Sequence, residues 1–92
     1  MTVHRSSLTP ADAEVLALRA LAHIVASDAL RPRFLALTGL GADVLRARAG
    51  SADVMTATLD FLAGQEADLV ACADALGAAP ADLAAARALL GR

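Results

Sequence analysis

Apolar residues recur along this chain at intervals of three and four, and in no segment do they alternate singly with polar ones. That period predicts helices throughout and no strand. The first helix signal is Thr9-Pro10-Ala11-Asp12. A threonine caps, a proline at the first helical position loses no needed hydrogen bond, and an aspartate in the first turn suits the helix dipole. Helix 1 is expected to run to about Ser27, with Asp12, Arg19, His23 and Ser27 on one narrow polar stripe. Val15, Leu18, Leu21, Ile24 and Val25 cover most of the remaining circumference. A helix this apolar is expected at the centre of the fold, with one edge wet.

Asp28 is placed to cap a second helix over about 29–38, with Pro32 in its first turn and Leu30, Phe34 and Leu37 on one face. Gly39 is placed to end it in a left-handed conformation. A short third helix spans about 42–49, and Ser51 caps a fourth over about 52–63 whose inward face is Met55, Leu59 and Leu62, with Phe61 beside it. Gly64-Gln65 marks either a break or a kink in one long bent helix. A fifth helix over about 66–76 turns Leu69, Cys72, Ala73 and Leu76 inward and ends at Gly77. Pro80 opens a sixth, over about 80–90, with Leu83, Ala86 and Leu90 inward. Linkers of two to four residues make successive helices spatial neighbours.

The fold class is therefore all-α: a compact bundle of five to six short helices around a central N-terminal helix. Residues 1–8 are polar and without period and read as a flexible arm; residues 9–92 read as a single helical domain. Ninety-two residues hold one modest core and no deep cavity with walls of its own.

Composition sharpens this picture in two ways. The hydrophobic fraction of 58% owes its excess to alanine, which supplies about a quarter of the chain. Alanine is the best helix former and is tolerated on a wet surface, so the excess argues for helix before it argues for a sticky interface. Aromatic mass comes from Phe34 and Phe61 alone. The net charge of −2 is not the footprint of a nucleic-acid binder. Its distribution is uneven: residues 1–50 carry two net positive charges and residues 51–92 four net negative ones. A single cysteine, Cys72, excludes an internal disulfide framework and fits a reducing compartment. The N-terminus lacks the apolar stretch of a signal peptide, and no apolar run is long enough to span a bilayer. A cytoplasmic location is expected, with no membrane partner.

Three strings carry a family resemblance: Pro32-Arg33-Phe34-Leu35-Ala36-Leu37-Thr38-Gly39-Leu40, Leu59-Asp60-Phe61-Leu62 and Ala75-Leu76-Gly77. Together they resemble an uncharacterised family of short alphaproteobacterial proteins, domain-of-unknown-function family 3572, over about residues 9–91. The Phe-Leu-Ala-Leu-Thr-Gly-Leu string is the most specific part. Gly41-Ala42 stands where the family pattern leads one to expect an Asp-Pro helix start. The resemblance implies an all-helical fold and no assigned activity, and it names no site.

Five features invite a chemical reading. Gly39-Leu40-Gly41 looks like the turn of a helix-hairpin-helix motif, which offers backbone N–H groups to a DNA phosphate. Leu45 is large where close packing after such a turn wants a small residue, and Asp43 would repel a phosphate; a glycine C-cap followed by a helix start explains the turn as well. Arg31, Arg33, Arg46 and Arg48 would form one basic ridge for an acidic partner or a phosphate if helices 2 and 3 pack as a hairpin. The plainer reading is a solvated face with local pairs, such as Arg31 or Arg33 with Asp28. His4 and His23 lie far apart and lack metal-ligand spacing. Cys72 has Asp68 and Asp74 as neighbours, which would raise its pKa, and reads as core filler. Asp60, Glu66, Asp68 and Asp74 read as solubilising charges or a face for a basic partner.

No catalytic constellation, metal site or cofactor site emerges, and the expectation is that the protein is not an enzyme. The expected function is a non-enzymatic protein–protein interaction module, either a homodimer or an adaptor for another protein. The alternative is weak DNA or phosphate binding through the turn at Gly39–Gly41, with Arg31, Arg33, Arg46 and Arg48 as partner-binding side chains.

Overall fold

The helix boundaries follow the capping signals closely. The computed structural model describes residues 8–91, and these form α1 (Pro10–Ala26), α2 (Leu30–Thr38), α3 (Ala42–Arg48), α4 (Ala52–Ala63), α5 (Glu66–Leu76) and α6 (Pro80–Leu90). No strand occurs among the described residues. The arm expected over residues 1–8 lies outside them save for Leu8, which packs partly buried against the core.

At the start of α1 the Thr9 hydroxyl accepts from the Asp12 N–H and the Asp12 carboxylate accepts from the Thr9 N–H, each at 3.1 Å, closing a capping box. Ser51 caps α4 in the simpler way, accepting from the Val54 N–H at 3.3 Å. The cap expected from Asp28 is supplied instead by Ser27, whose hydroxyl accepts from the Leu30 N–H at 3.0 Å, while Asp28 pairs with Arg31. Gly39 and Gly77 end α2 and α5 with φ of 71° and 70°, the left-handed conformation that costs a side-chain-bearing residue most. Between α4 and α5 the chain breaks: Gln65 is extended, with φ −140° and ψ 108°, so these are two helices and not one bent rod.

Helix α1 is central, as expected, packing most extensively against α6 and then α4. The face it turns inward is the expected one only in part: Leu21 and Ile24 are buried, but Val15, Leu18 and Val25 are not. Ala13, Ala17, Ala20 and Ile24 are wholly enclosed, with Leu21 at their edge, whereas Val15, Leu18 and Val25 are 55%, 41% and 37% exposed. The physical reason is distance. Small side chains allow helix axes to approach closely, and the alanines Ala13, Ala17 and Ala20 of α1 and Ala86 of α6 are all wholly enclosed, in the two helices that pack most extensively together. Leu37 is a second departure: expected inward with Leu30 and Phe34, it is 76% exposed.

The rest of the core follows the sequence pattern. Met55, Leu59 and Leu62 of α4 are buried, joined by Val54 and by Thr58, whose hydroxyl donates to the Val54 carbonyl at 2.7 Å. Cys72 and Ala73 of α5 and Leu83 and Ala86 of α6 complete it; Leu69, Leu76 and Leu90 are half-buried around it. Helices α5 and α6 meet at 102°. The α2–α3 end is more loosely held. Helix α2 packs broadly only on α1, and α3 packs broadly on no other helix, anchored chiefly by buried Leu45.

Candidate functional site

The outer side of α1 carries Ala11, Val15, Leu18, Ala22 and Val25, all exposed. Their spacing of four, three, four and three residues keeps them within an arc of about 80° along the helix, on the far side from the buried alanines. Beside this stripe lies a hollow of about 340 Å³ between α1, α2 and α3, lined by Leu18, Leu21, Val25, Leu35, Leu45 and Ala49 among others. Leu18 and Val25 belong to both, so stripe and hollow form one apolar surface.

Two arginines reach that hollow, and they are two of the four singled out in the sequence. Arg31 donates to the Val25 carbonyl at 2.8 Å and to Asp28 at 3.1 Å; Arg46 pairs with Asp43 at 3.2 Å. The other two point elsewhere. Arg33 pairs with Asp68 on α5 and lies 5.5 Å from the centroid of the Phe61 ring. Arg48 pairs with Asp53 on α4 at 3.0 Å. Helices α2 and α3 share no broad packing, so the four guanidinium groups do not form a single ridge. Each sits against a carboxylate in an exposed or half-exposed pair, worth at most about 1 kcal/mol.

Gly39 and Gly41 flank Leu40 in the turn from α2 to α3. Gly39 holds the left-handed conformation and Gly41 the extended N-cap conformation, φ −83° and ψ 163°, with no side chain to cap α3. Asp43 stands in the first turn of α3, where a phosphate would have to approach. On the opposite side of α2, exposed Leu37 stands between two shallow depressions of about 430 and 520 Å³. Their walls mix apolar residues with Arg33, Gln65, Arg48, Asp53 and Asp60.

Cys72 is enclosed at 0% exposure, and burial pushes its thiol above the ordinary range. Desolvation is the cause here, and not the neighbouring aspartates that the sequence pointed to. Asp68 and Asp60 are occupied with Arg33 and Arg87. His23 is half-buried in the last turn of α1, and His4 lies outside the described residues. No group of three or more His, Cys, Asp or Glu side chains is placed to hold a metal among the described residues. No single described helix is long and apolar enough to cross a membrane.

The apolar face of α1 is the feature that reading the sequence missed. Its signal was present as the four-three-four-three spacing from Ala11 to Val25. A parallel spacing, Ala13, Ala17, Ala20 and Ile24, runs along the other side, and the larger residues looked like the better core.

The fold and this surface define a small all-helical protein with an outward apolar face beside a groove. The chain belongs to the family described as "Protein of unknown function (DUF3572)", which matches residues 10–92, from the first residue of α1 to the C-terminus. No curated protein and no solved structure matches the chain.

Proposed function

We propose that this protein is a non-enzymatic interaction module acting in the cytoplasm, and that the outer face of α1 with the adjoining hollow is where a protein partner sits. The observation that carries this is the exposure of Val15, Leu18 and Val25 on one helix face, continuous with a hollow lined by further leucines. A contiguous apolar surface on a small domain is costly in water and is characteristic of a surface covered in use. Arg31 and Arg46 at its edge supply polar, orienting contacts of the kind that rim protein interfaces. The free, enclosed Cys72 is compatible with a reducing compartment.

Photo-crosslinking tests this directly. A photoreactive amino acid replaces Leu18 in the intact chain in its native cells, and Ala88 on the exposed side of α6 serves as control. Position 18 is expected to yield a discrete covalent adduct with protein, and position 88 none. Equal or absent adduct at both positions would overturn the reading.

A further inference from the structure

The spacing of the exposed stripe is that of a heptad seam. Taking Val15 and Ala22 as the a positions makes Ala11, Leu18 and Val25 the d positions. In the heptad of Val15 and Leu18 a β-branched residue at a meets leucine at d, the pairing that favours two parallel strands, while Ala11, Ala22 and Val25 fill the positions on either side. In the same register Glu14 is a g position and Arg19 an e position, flanking the seam on opposite sides. Five residues apart, they lie about 140° from one another around the helix and cannot pair within it.

Neither has an ionic partner among the described residues. Every other described arginine sits against a carboxylate; Arg19 alone does not, and donates one N–H to the Leu76 carbonyl at 2.8 Å. A guanidinium has five such donors, so the rest remain for a carboxylate. Glu14 is exposed and has no arginine against it among the described residues.

Resting on the interaction reading above, we infer that the partner is a second copy of this chain, with the two α1 helices packed in parallel along Val15, Leu18, Ala22 and Val25 and with Glu14 of each copy paired to Arg19 of the other. Parallel pairing sets g of one helix beside e of the next heptad on its partner, which brings these opposite charges together twice. Antiparallel pairing sets e beside e and g beside g. That would face Arg19 with its own copy and Glu14 with Asp28 or, one heptad along, Arg19 with Asp12, which already caps α1 through the Thr9 N–H, and Glu14 with Leu21; only the parallel arrangement gives both Glu14 and Arg19 an opposite charge. The enclosed residues of α1, Ala13, Ala17, Ala20 and Ile24, lie on its far side, which leaves the seam of Val15, Leu18, Ala22 and Val25 exposed. Helix α1 is only about 25 Å long, so the expected affinity is modest, on the order of micromolar.

Sedimentation equilibrium of the full chain tests this, with Leu18→Asp, Glu14→Arg, Arg19→Glu and the double variant Glu14→Arg/Arg19→Glu. All the substituted side chains are exposed, and circular dichroism melts check that each variant folds. The native mass is expected to rise with concentration from 9.3 kDa to twice that value. Leu18→Asp is expected to stay monomeric, each single charge reversal to weaken association roughly tenfold or more, and the double reversal to recover most of the loss. A dimer indifferent to Leu18→Asp, or charge reversals that fail to compensate, overturns the parallel register. A monomer at every concentration, while crosslinks from position 18 to other proteins persist, overturns self-pairing and leaves the interaction reading standing. A monomer without crosslinks removes both.

Discussion

Phe34 and Phe61 meet edge to face, with ring centroids 5.2 Å apart and planes at 79°. This contact ties α2 to α4, and Arg33, beside it, extends the tie to Asp68 on α5. Phe34 is fully enclosed, so Phe34→Ala is expected to cost about 3–5 kcal/mol, a large share of what a domain this small holds. Urea unfolding checks it. Leu37→Ala, three residues along the same helix but 76% exposed, is expected to change stability by less than about 0.5 kcal/mol.

Helix α1 inverts the usual expectation about size. Ala17 is fully enclosed where α1 approaches its neighbours, so Ala17→Leu forces apart a close contact and is expected to destabilise by roughly 1–3 kcal/mol or more. Leu18→Ala, one residue further, is expected to leave the unfolding free energy of the isolated chain within about 0.5 kcal/mol. Thermal melts at low protein concentration separate the two.

Much of this architecture was legible in the amino-acid order because it is local chemistry. Thr9-Pro10, Ser51, Gly39, Gly77 and Pro80 mark helix ends through single hydrogen bonds or single backbone conformations, and the structure honours each. Which face of α1 turns inward is not local. It depends on how near α4 and α6 can come, and a hydrophobicity pattern ranks Val15 and Leu18 above Ala13 and Ala17 without knowing that distance. The arginines show the same limit. The Arg31–Asp28 pair lies three residues apart and could be read directly, whereas Arg33 finds Asp68 across 35 residues only once α2 and α5 are in place.

Gly77 holds φ at 70°, and a Cβ added there would meet nothing within 4 Å. The cost of Gly77→Ala is therefore conformational alone, expected at about 1–2 kcal/mol. Equilibrium unfolding measures it, and Ala78→Gly, one residue beyond the cap, serves as the control for a simple change in chain flexibility.

Burial holds the Cys72 thiol neutral to higher pH than in the unfolded chain. The folded state thus binds this proton more tightly. Its contribution is fully present below the unfolded thiol pKa of about 8.5 and is lost as pH rises from there through the folded value. The stability of the native chain is expected to fall between about pH 8.5 and the folded value by more than that of Cys72→Ala, once each is referred to its own value at pH 7. Thiol-specific reagents are expected to label the folded protein only at the rate at which it opens.

If a second copy of this chain seats on the outer side of α1, methyl NMR reads that contact atom by atom. Spectra of the full chain, recorded while it is concentrated from low micromolar to near millimolar, are expected to show shifts at the methyl groups of Val15, Leu18 and Val25. Those of enclosed Leu59, Leu62 and Leu83 should stay fixed. Movement confined to Leu37, or no movement at these three valine and leucine positions, would contradict the account of a second copy seated on α1.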